Sequence, residues 1–249
     1  MNMTRNWMIL IVLILAMLML NACNVAEVAE IGTVIRGSGN VVSQEEAIDD
    51  FNRLEVNNGF QVDAQQGDEF SVIIRLDDNL VEYLHVVNEG NTLTIGLEPG
   101  RSYNIVEAKL EADVTMPELA GLDLSGGSHV EINGFNSAVA LDANLSGGSH
   151  LNGDVVAGDT KIDLSGGSEA TLSGSAGNLK VDARGGSHAK LANLAVANAD
   201  VDASGGSHVT VNASGKLDAE AKGGSHIRYL GNPSMGTIDD DASSTVEQE

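Results

Sequence analysis

The tetrapeptide Gly-Gly-Ser-(His/Glu) occurs six times in the second half of the chain, beginning at Gly126, Gly147, Gly166, Gly185, Gly205 and Gly223. The copies are about twenty residues apart. A fixed period of this length marks stacked supersecondary units, none of which can bury a face alone, so it constrains the fold before any local propensity is consulted. The repeat also gathers five of the six histidines at one position: His129, His150, His188, His208 and His226, with Glu169 in the remaining copy.

Aligned on the first glycine, the copies show apolar residues at even offsets. Four before it stand Leu122, Ala143, Ile162, Val181, Val201 and Ala219; two before it, Leu124, Leu145, Leu164, Ala183, Ala203 and Ala221. Four after it come Val130, Leu151, Ala170, Ala189, Val209 and Ile227, and six after it the residues are again mostly apolar, with Gly153 the exception. This is the period-two signature of strands with one buried face. The expected fold class is all-β: a parallel β-helix, a solenoid with about twenty residues per coil. Aromatic residues make up only 3% of the chain, so the core must be built from small aliphatic layers. The glycine pairs read as corners, where a side chain would collide, and the serine as a turn former.

Residues 34–118 are β-rich without a short repeat, and the regular coils run over 119–231, giving one domain over 34–233. Alternation marks strands at Phe51–Val56, Phe60–Ala64 and Thr92–Leu97, and Phe70–Leu76 is a more continuous apolar strand. Asp78–His85 is the one plausible helical piece, with Leu80 and Leu84 one turn apart and Asp77 or Asp78 as cap. Whether this half continues the coil or packs as a separate layer is open at this stage. The acidic residues 234–249 are expected to be a disordered tail.

The only cysteine, Cys23, ends an apolar run from Trp7 to Leu20 that follows Arg5. The run has the length of a signal-peptide core and is short for a membrane span. Leu20-Asn21-Ala22-Cys23 resembles the bacterial lipobox, which makes residues 1–22 a lipoprotein signal peptide, Cys23 the lipidated residue and 23–33 a linker. The alternative is an uncleaved N-terminal anchor. Both readings place the protein outside the cytoplasm, membrane-anchored at the cell envelope or surface, and a lone cysteine excludes an internal disulfide. The net charge of −23 disfavours nucleic acid as a partner. Divalent cations, cationic surfaces and neutral glycans remain compatible with it.

Two outward rows are the candidate sites. Three residues before each glycine pair stand Asp123, Asn144, Asp163, Asp182, Asp202 and Glu220. Carboxylates at coil spacing repel by about 1 kcal/mol in water, so water, hydroxyl or backbone donors, partial protonation or a weakly bound divalent cation must relieve them. The second row is His129, His150, Glu169, His188, His208 and His226. It can stack, recognise an outside ligand, or share a transition metal pairwise, although a strong zinc site wants three or four converging ligands. No cofactor is implied. Ser128 and His129 are chain neighbours that alternation sends to opposite faces, so they make no nucleophile–base pair. With no nucleophile elbow, zinc-protease motif or phosphate loop, no catalytic residue is expected. The outward residues repeat too evenly to single out one cleft.

The order of several motifs resembles a known family. Gly37-Ser38-Gly39-Asn40-Val41-Val42 opens the likeness, followed by Gly59-Phe60-Gln61-Val62 and Gln66-Gly67-Asp68-Glu69. Leu93-Thr94-Ile95 comes next, and Val114-Thr115-Met116-Pro117-Glu118-Leu119 then leads into Leu122-Asp123-Leu124-Ser125-Gly126-Gly127-Ser128. Together they are similar to the auto-transporter adhesin head GIN domain family, over residues 37–233. The histidine after Gly-Gly-Ser is a departure from that pattern. The resemblance implies a β-helix at the cell envelope, often behind a lipoprotein signal, and carries over no functional residue. The resulting expectation is a non-enzymatic binding module of adhesion type, with a glycan or envelope protein as partner. A purely structural scaffold lipoprotein is the alternative, and a β-helical polysaccharide-active enzyme a third reading.

Overall fold

The computed structural model describes residues 34–249; the expected signal peptide, Cys23 and the linker lie outside the described residues. Among the described residues the regular structure is nearly all β, and it winds as a β-solenoid of about six turns, with ~20 residues per turn. Each regular coil places one strand before the glycine pair and one after it, as in Gly121–Leu124 and His129–Asn136, then Leu141–Leu145 and His150–Val156. Further on, Glu169–Arg184 and His188–Ser204 run unbroken from one coil into the next. All pairing between regular coils is parallel, and the strands before the glycine pairs are in register, so that Leu122, Ala143, Ile162, Val181, Val201 and Ala219 form one column. The strands after them shift register at bulges past Ile132, Thr171 and Leu191. The inward columns expected from the alternation are buried, with Gly153 and Tyr229 only half-buried.

The corner explains the repeat. Both glycines are left-handed, with φ of 63–66° at the first and 75–78° at the second, a conformation that favours glycine because other residues clash at Cβ. A Cβ on Gly147 would also lie 3.3 Å from the amide nitrogen of Gly126 on the preceding coil, whereas one on Gly148 would meet nothing within 4 Å. The serine that follows does more than turn the chain. Ser128, Ser149, Ser168, Ser187, Ser207 and Ser225 are fully buried, and each hydroxyl donates to the carbonyl three residues back, at 2.7–2.8 Å. In the later coils the hydroxyl also accepts from the preceding coil: the amide of Ser187 donates to Ser207 Oγ at 3.2 Å and that of Ser207 to Ser225 Oγ at 3.1 Å. A column of hydroxyls thus satisfies backbone groups inside the corner that water cannot reach.

The first half of the chain both continues the solenoid and caps it. Arg53–Val56 pairs in parallel with Gly121–Leu124 on one side and Thr92–Leu97 on the other. Likewise Gln61–Gln66 lies between His129–Asn136 and Leu110–Met116. This coil therefore sits between two segments that both follow it in sequence. Asn58 and Gly59, with φ of 61° and 76°, stand in for the glycine pair, and buried Phe60 stands in for the serine. The outer end is closed by antiparallel strands: Ser71–Asp77 pairs with Leu110–Met116 and Val41–Glu46, and Leu84–Glu89 with Thr92–Leu97. The expected helical piece is a 3-10 helix over Asp78–Tyr83 that buries Leu80. Asp77 occupies its N-cap position without capping it, because the carboxylate instead accepts the amides of Gly39 and Lys109, each at 2.6 Å. Among the described residues no helix is long and apolar enough to cross a membrane.

The expectation of a disordered tail is corrected. Ser234–Asp240 and Thr245–Gln248 are strands that pair in parallel with Lys216–Lys222 and His226–Leu230. The acidic composition concealed a coil in which Asp241-Ala242-Ser243-Ser244 takes the corner without a glycine pair. Ser244 is buried and its Oγ accepts the amide of Ser225 at 3.2 Å, continuing the serine column. Asp241 accepts the amide of Gly223 at 2.8 Å. That bond, with those from the hydroxyls of Ser243 and Ser244 and the amide of Ser243, holds its carboxyl well below the usual range. A depressed carboxyl contributes stability above its unfolded value of 3.8 that is lost as the pH falls. Asp241→Ala should accordingly speed amide exchange in Ser234–Asp240 and Thr245–Gln248 at pH 7, while leaving exchange in Leu141–Leu145 unchanged. Equal protection of the last coil in both proteins would show that the corner does not hold it.

Candidate functional site

The structure brings all six members of the histidine row together in one column. His129, His150, Glu169, His188, His208 and His226 are direct partners on successive strands, flanked by Gln61 at one end and Thr245 at the other. The rings stack in two runs. His129 and His150 have centroids 5.6 Å apart; His188 and His208, then His208 and His226, lie 5.1 and 5.0 Å apart with interplanar angles of 24° and 17°. Near-parallel rings direct their in-plane nitrogen lone pairs side by side, whereas a tetrahedral metal needs them to converge. Among the described residues no group of three or more His, Cys, Asp or Glu side chains is arranged to hold a metal ion. Glu169 separates the runs and is committed to Lys190 at 2.7 Å. That hydrogen bond, ahead of the opposing effect of burial, lowers its carboxyl, with further help from Lys190, His150 and His188.

His208 is the middle ring of the longer run. Loss of hydration lowers its pKa first, followed by the charges of His188, His226 and Arg228. A histidine with a depressed folded pKa resists the proton that the unfolded chain accepts, so it destabilises the fold as the pH drops below the unfolded value of 6.5. His208→Asn should match the parent in thermal melts at pH 8 and outlast it at pH 5. The idea fails if the parent loses no more stability on acidification than the variant.

The carboxylate row is also a single column, longer than the repeat suggested: Glu55, Asp123, Asn144, Asp163, Asp182, Asp202, Glu220 and Asp239 are successive partners. Its repulsion is relieved chiefly by the chain's own cations. Arg53 pairs with Asp123 at 3.3 Å, Lys161 with Asp163 at 2.5 Å, Arg184 with Asp182, and Lys222 with both Glu220 and Asp239. Asn144 donates its amide to Asp123 at 2.8 Å. Three of these cations stand two residues from their carboxylate on the same strand face, a spacing already visible in the sequence. Asp202 makes no ion pair among the described residues. Burial raises its pKa, and Asp200, Asp182 and Glu220 add to the rise against the opposing Lys180.

On this face the expectation that no cleft stands out is corrected. A concavity of about 500 Å³ crosses the coils that begin at Gly121, Leu141 and Thr160. It exists because the residue just before each glycine pair varies: Ser125, Ser146 and Ser165 are short, whereas Asn57 precedes them and Arg184 follows them. The long side chains wall off a trough floored by serines. Sequence reasoning had passed over this column, although an alignment of the repeats shows Ser, Ser, Ser, Arg, Ser and Lys in it.

The geometry agrees with the comparisons to known proteins. The family model described as "Putative auto-transporter adhesin, head GIN domain" matches residues 50–233. The chain belongs to the head GIN domain family. Its fold is shared by solved structures of low identity. One, named a putative adhesin, from Bacteroides fragilis, is 18% identical with a TM-score of 0.78, over 86% of this chain and 100% of that one. A second putative adhesin, from Parabacteroides merdae, is 19% identical with a TM-score of 0.65, over 87% and 99% of the two chains. A third, from Parabacteroides distasonis and named a putative lipid binding protein, is 19% identical with a TM-score of 0.62, over 87% and 100%. No curated protein matches the chain. At these identities the likeness to the solved head GIN structures establishes the fold.

Proposed function

We propose that the protein is a non-enzymatic surface-interaction module of the bacterial cell envelope, exported and held at the membrane through a lipidated Cys23. The observation that carries this reading is the outer face of the coils before the glycine pairs. There, evenly spaced polar side chains are largely neutralised by one another, and a trough is left open to solvent. A rigid rod with such a face suits a partner that is itself repetitive. The stacked histidines favour a structural part for the other row, because each ring is occupied by its neighbours. Membership of an adhesin-named family is consistent with a surface-interaction role.

Two measurements test the reading. Cys23→Ser should abolish metabolic labelling with palmitate and release the protein from the membrane fraction. Cells displaying the full chain should adhere to glycan-coated or cell-derived surfaces more than cells lacking it, and a variant with all five row histidines changed to asparagine should adhere equally well. Equal adhesion with and without the protein would sink the surface-interaction reading. Loss of adhesion in the histidine variant alone would move the contact to the imidazole row.

A further inference from the structure

We infer that the trough between Asn57 and Arg184 is a subsite for a short stretch of an uncharged, hydroxyl-rich polymer: a neutral oligosaccharide of two or three sugar units. The inference rests on the surface-interaction reading and specifies where and what the protein would bind.

Size comes first. A concavity of about 500 Å³ falls within the range of small-molecule sites, ~300–1,000 Å³. It spans three coils whose equivalent residues lie about 4.8 Å apart, and a pyranose unit in an extended chain advances by a similar distance. The coils of Ser146 and Ser165 would then each meet one unit with the same set of groups, a serine hydroxyl and the amide or carboxylate two residues before it, with a further unit reaching the closed end at Ser125.

Two of the three serine hydroxyls on the floor are free to do this. Ser146 Oγ and Ser165 Oγ have only long contacts, at 3.4 and 3.5 Å, to the carbonyls of Leu124 and Leu145. Those distances lie beyond the roughly 2.5–3.0 Å of a good hydroxyl bond. Ser125 is engaged by Asn57 at 2.5 Å, which closes that end. Asn144 donates one amide hydrogen to Asp123 at 2.8 Å.

Charge selects the ligand class. The four carboxylates of the trough are Glu55, Asp123, Asp163 and Asp182, and its cations are Lys161, Lys180 and Arg184. Near balance here contrasts with the −23 of the whole chain. A strongly anionic or cationic ligand gains little from it. A divalent cation would have to break the ion pairs of Lys161 with Asp163 and of Arg184 with Asp182. The leucines beneath, Leu124, Leu145 and Leu164, are buried in the core, so an apolar ligand finds no platform. Hydroxyl groups, which both donate and accept, match an array of paired charges and underused serines.

The test is an amide-resolved NMR titration of the full chain in detergent micelles with cellotriose, chitotriose and mannotriose, alongside trigalacturonate and calcium chloride. At least one neutral trisaccharide should shift amides of residues 121–126, 141–147 and 160–166 saturably. Filling the floor with Ser146→Gln and Ser165→Gln together should weaken that binding at least tenfold without moving the melting temperature. No shift with any neutral trisaccharide overturns the inference. So do shifts seen only with calcium, which would mark a cation site, or only with trigalacturonate, which would mark an acidic-glycan site. Binding that survives the filled floor overturns the location. If the neutral sugars are silent while displaying cells still adhere, the trough assignment fails and the surface-interaction reading stands. Should the cells not adhere either, both fall.

Discussion

Gly153→Ala should cost about 4 kcal/mol, the combined scale of ~1–3 kcal/mol for forced backbone strain and ~1–3 kcal/mol for overpacking. Gly153 interrupts an otherwise apolar inward column, and the structure shows why no side chain fits. Its φ is +143°, and an added Cβ would lie 2.0 Å from the carbonyl oxygen of Ile132 and 2.9 Å from the carbonyl carbon. The neighbour in the way is backbone held in a parallel ladder, where Ile132 pairs with Gly153 just before the register shifts. It cannot swing aside as a side-chain terminus would. At ~2–4 °C per kcal/mol for a chain of this size, the melting temperature should fall by roughly 8–16 °C. Gly148→Ala is the control: it is also left-handed at 75°, but with nothing within 4 Å of the new methyl. It should cost only the local strain, about 1–2 kcal/mol. Similar losses for the two variants would refute the close approach at Gly153.

Ser207→Ala should be nearly as damaging, at about 3 kcal/mol, because one hydroxyl serves two buried groups. It donates to the carbonyl of Ser204 at 2.8 Å and accepts the amide of Ser187 at 3.2 Å. Removing it strands the Ser187 amide, at ~1–3 kcal/mol for a buried polar group without a partner, and leaves the Ser204 carbonyl with only the 3.3 Å bond from the amide of Gly185. Ser149→Ala removes the single bond to the carbonyl of Ser146 at 2.8 Å and should cost about half as much. Denaturant unfolding of the two variants checks the ratio. Amide exchange at Ser187 checks the mechanism, since its protection should fall in the Ser207 variant and hold in the Ser149 one. Equal costs would mean that the corner-to-corner bond contributes nothing.

These two predictions mark where sequence and structure divide. The period and the even-offset apolar columns were enough to read the coil, its corners and its inward side chains, since all three follow from local rules: two left-handed residues and alternation. The sequence also placed both outward rows in columns. It did not reveal the second role of the serine, because accepting from the next coil requires three-dimensional register. The terminal coil was missed because the side chains of Asp241 and Ser243 accept the amides of Gly223 and Gly224, a task that backbone carbonyls perform for Gly205 and Gly206 in the coil before. The trough was missed for the opposite reason. Its floor repeats faithfully, and only the departures at Asn57 and Arg184 give it ends.

The coil of Phe51–Gln66, flanked on both sides by later segments, has a consequence for how the rod is made during synthesis. A ribosome releases its two strands before any of their partners exists, so the second edges of Arg53–Val56 and Gln61–Gln66 wait until Gly121–Leu124 and His129–Asn136 emerge. The smallest part that can close on itself therefore reaches to about residue 136, where His129–Asn136 ends. Every later coil adds to one growing end and touches only the coil laid before it. Descendants of such a gene can lengthen or shorten the rod by whole copies there, whereas a copy inserted upstream would separate strands that must meet.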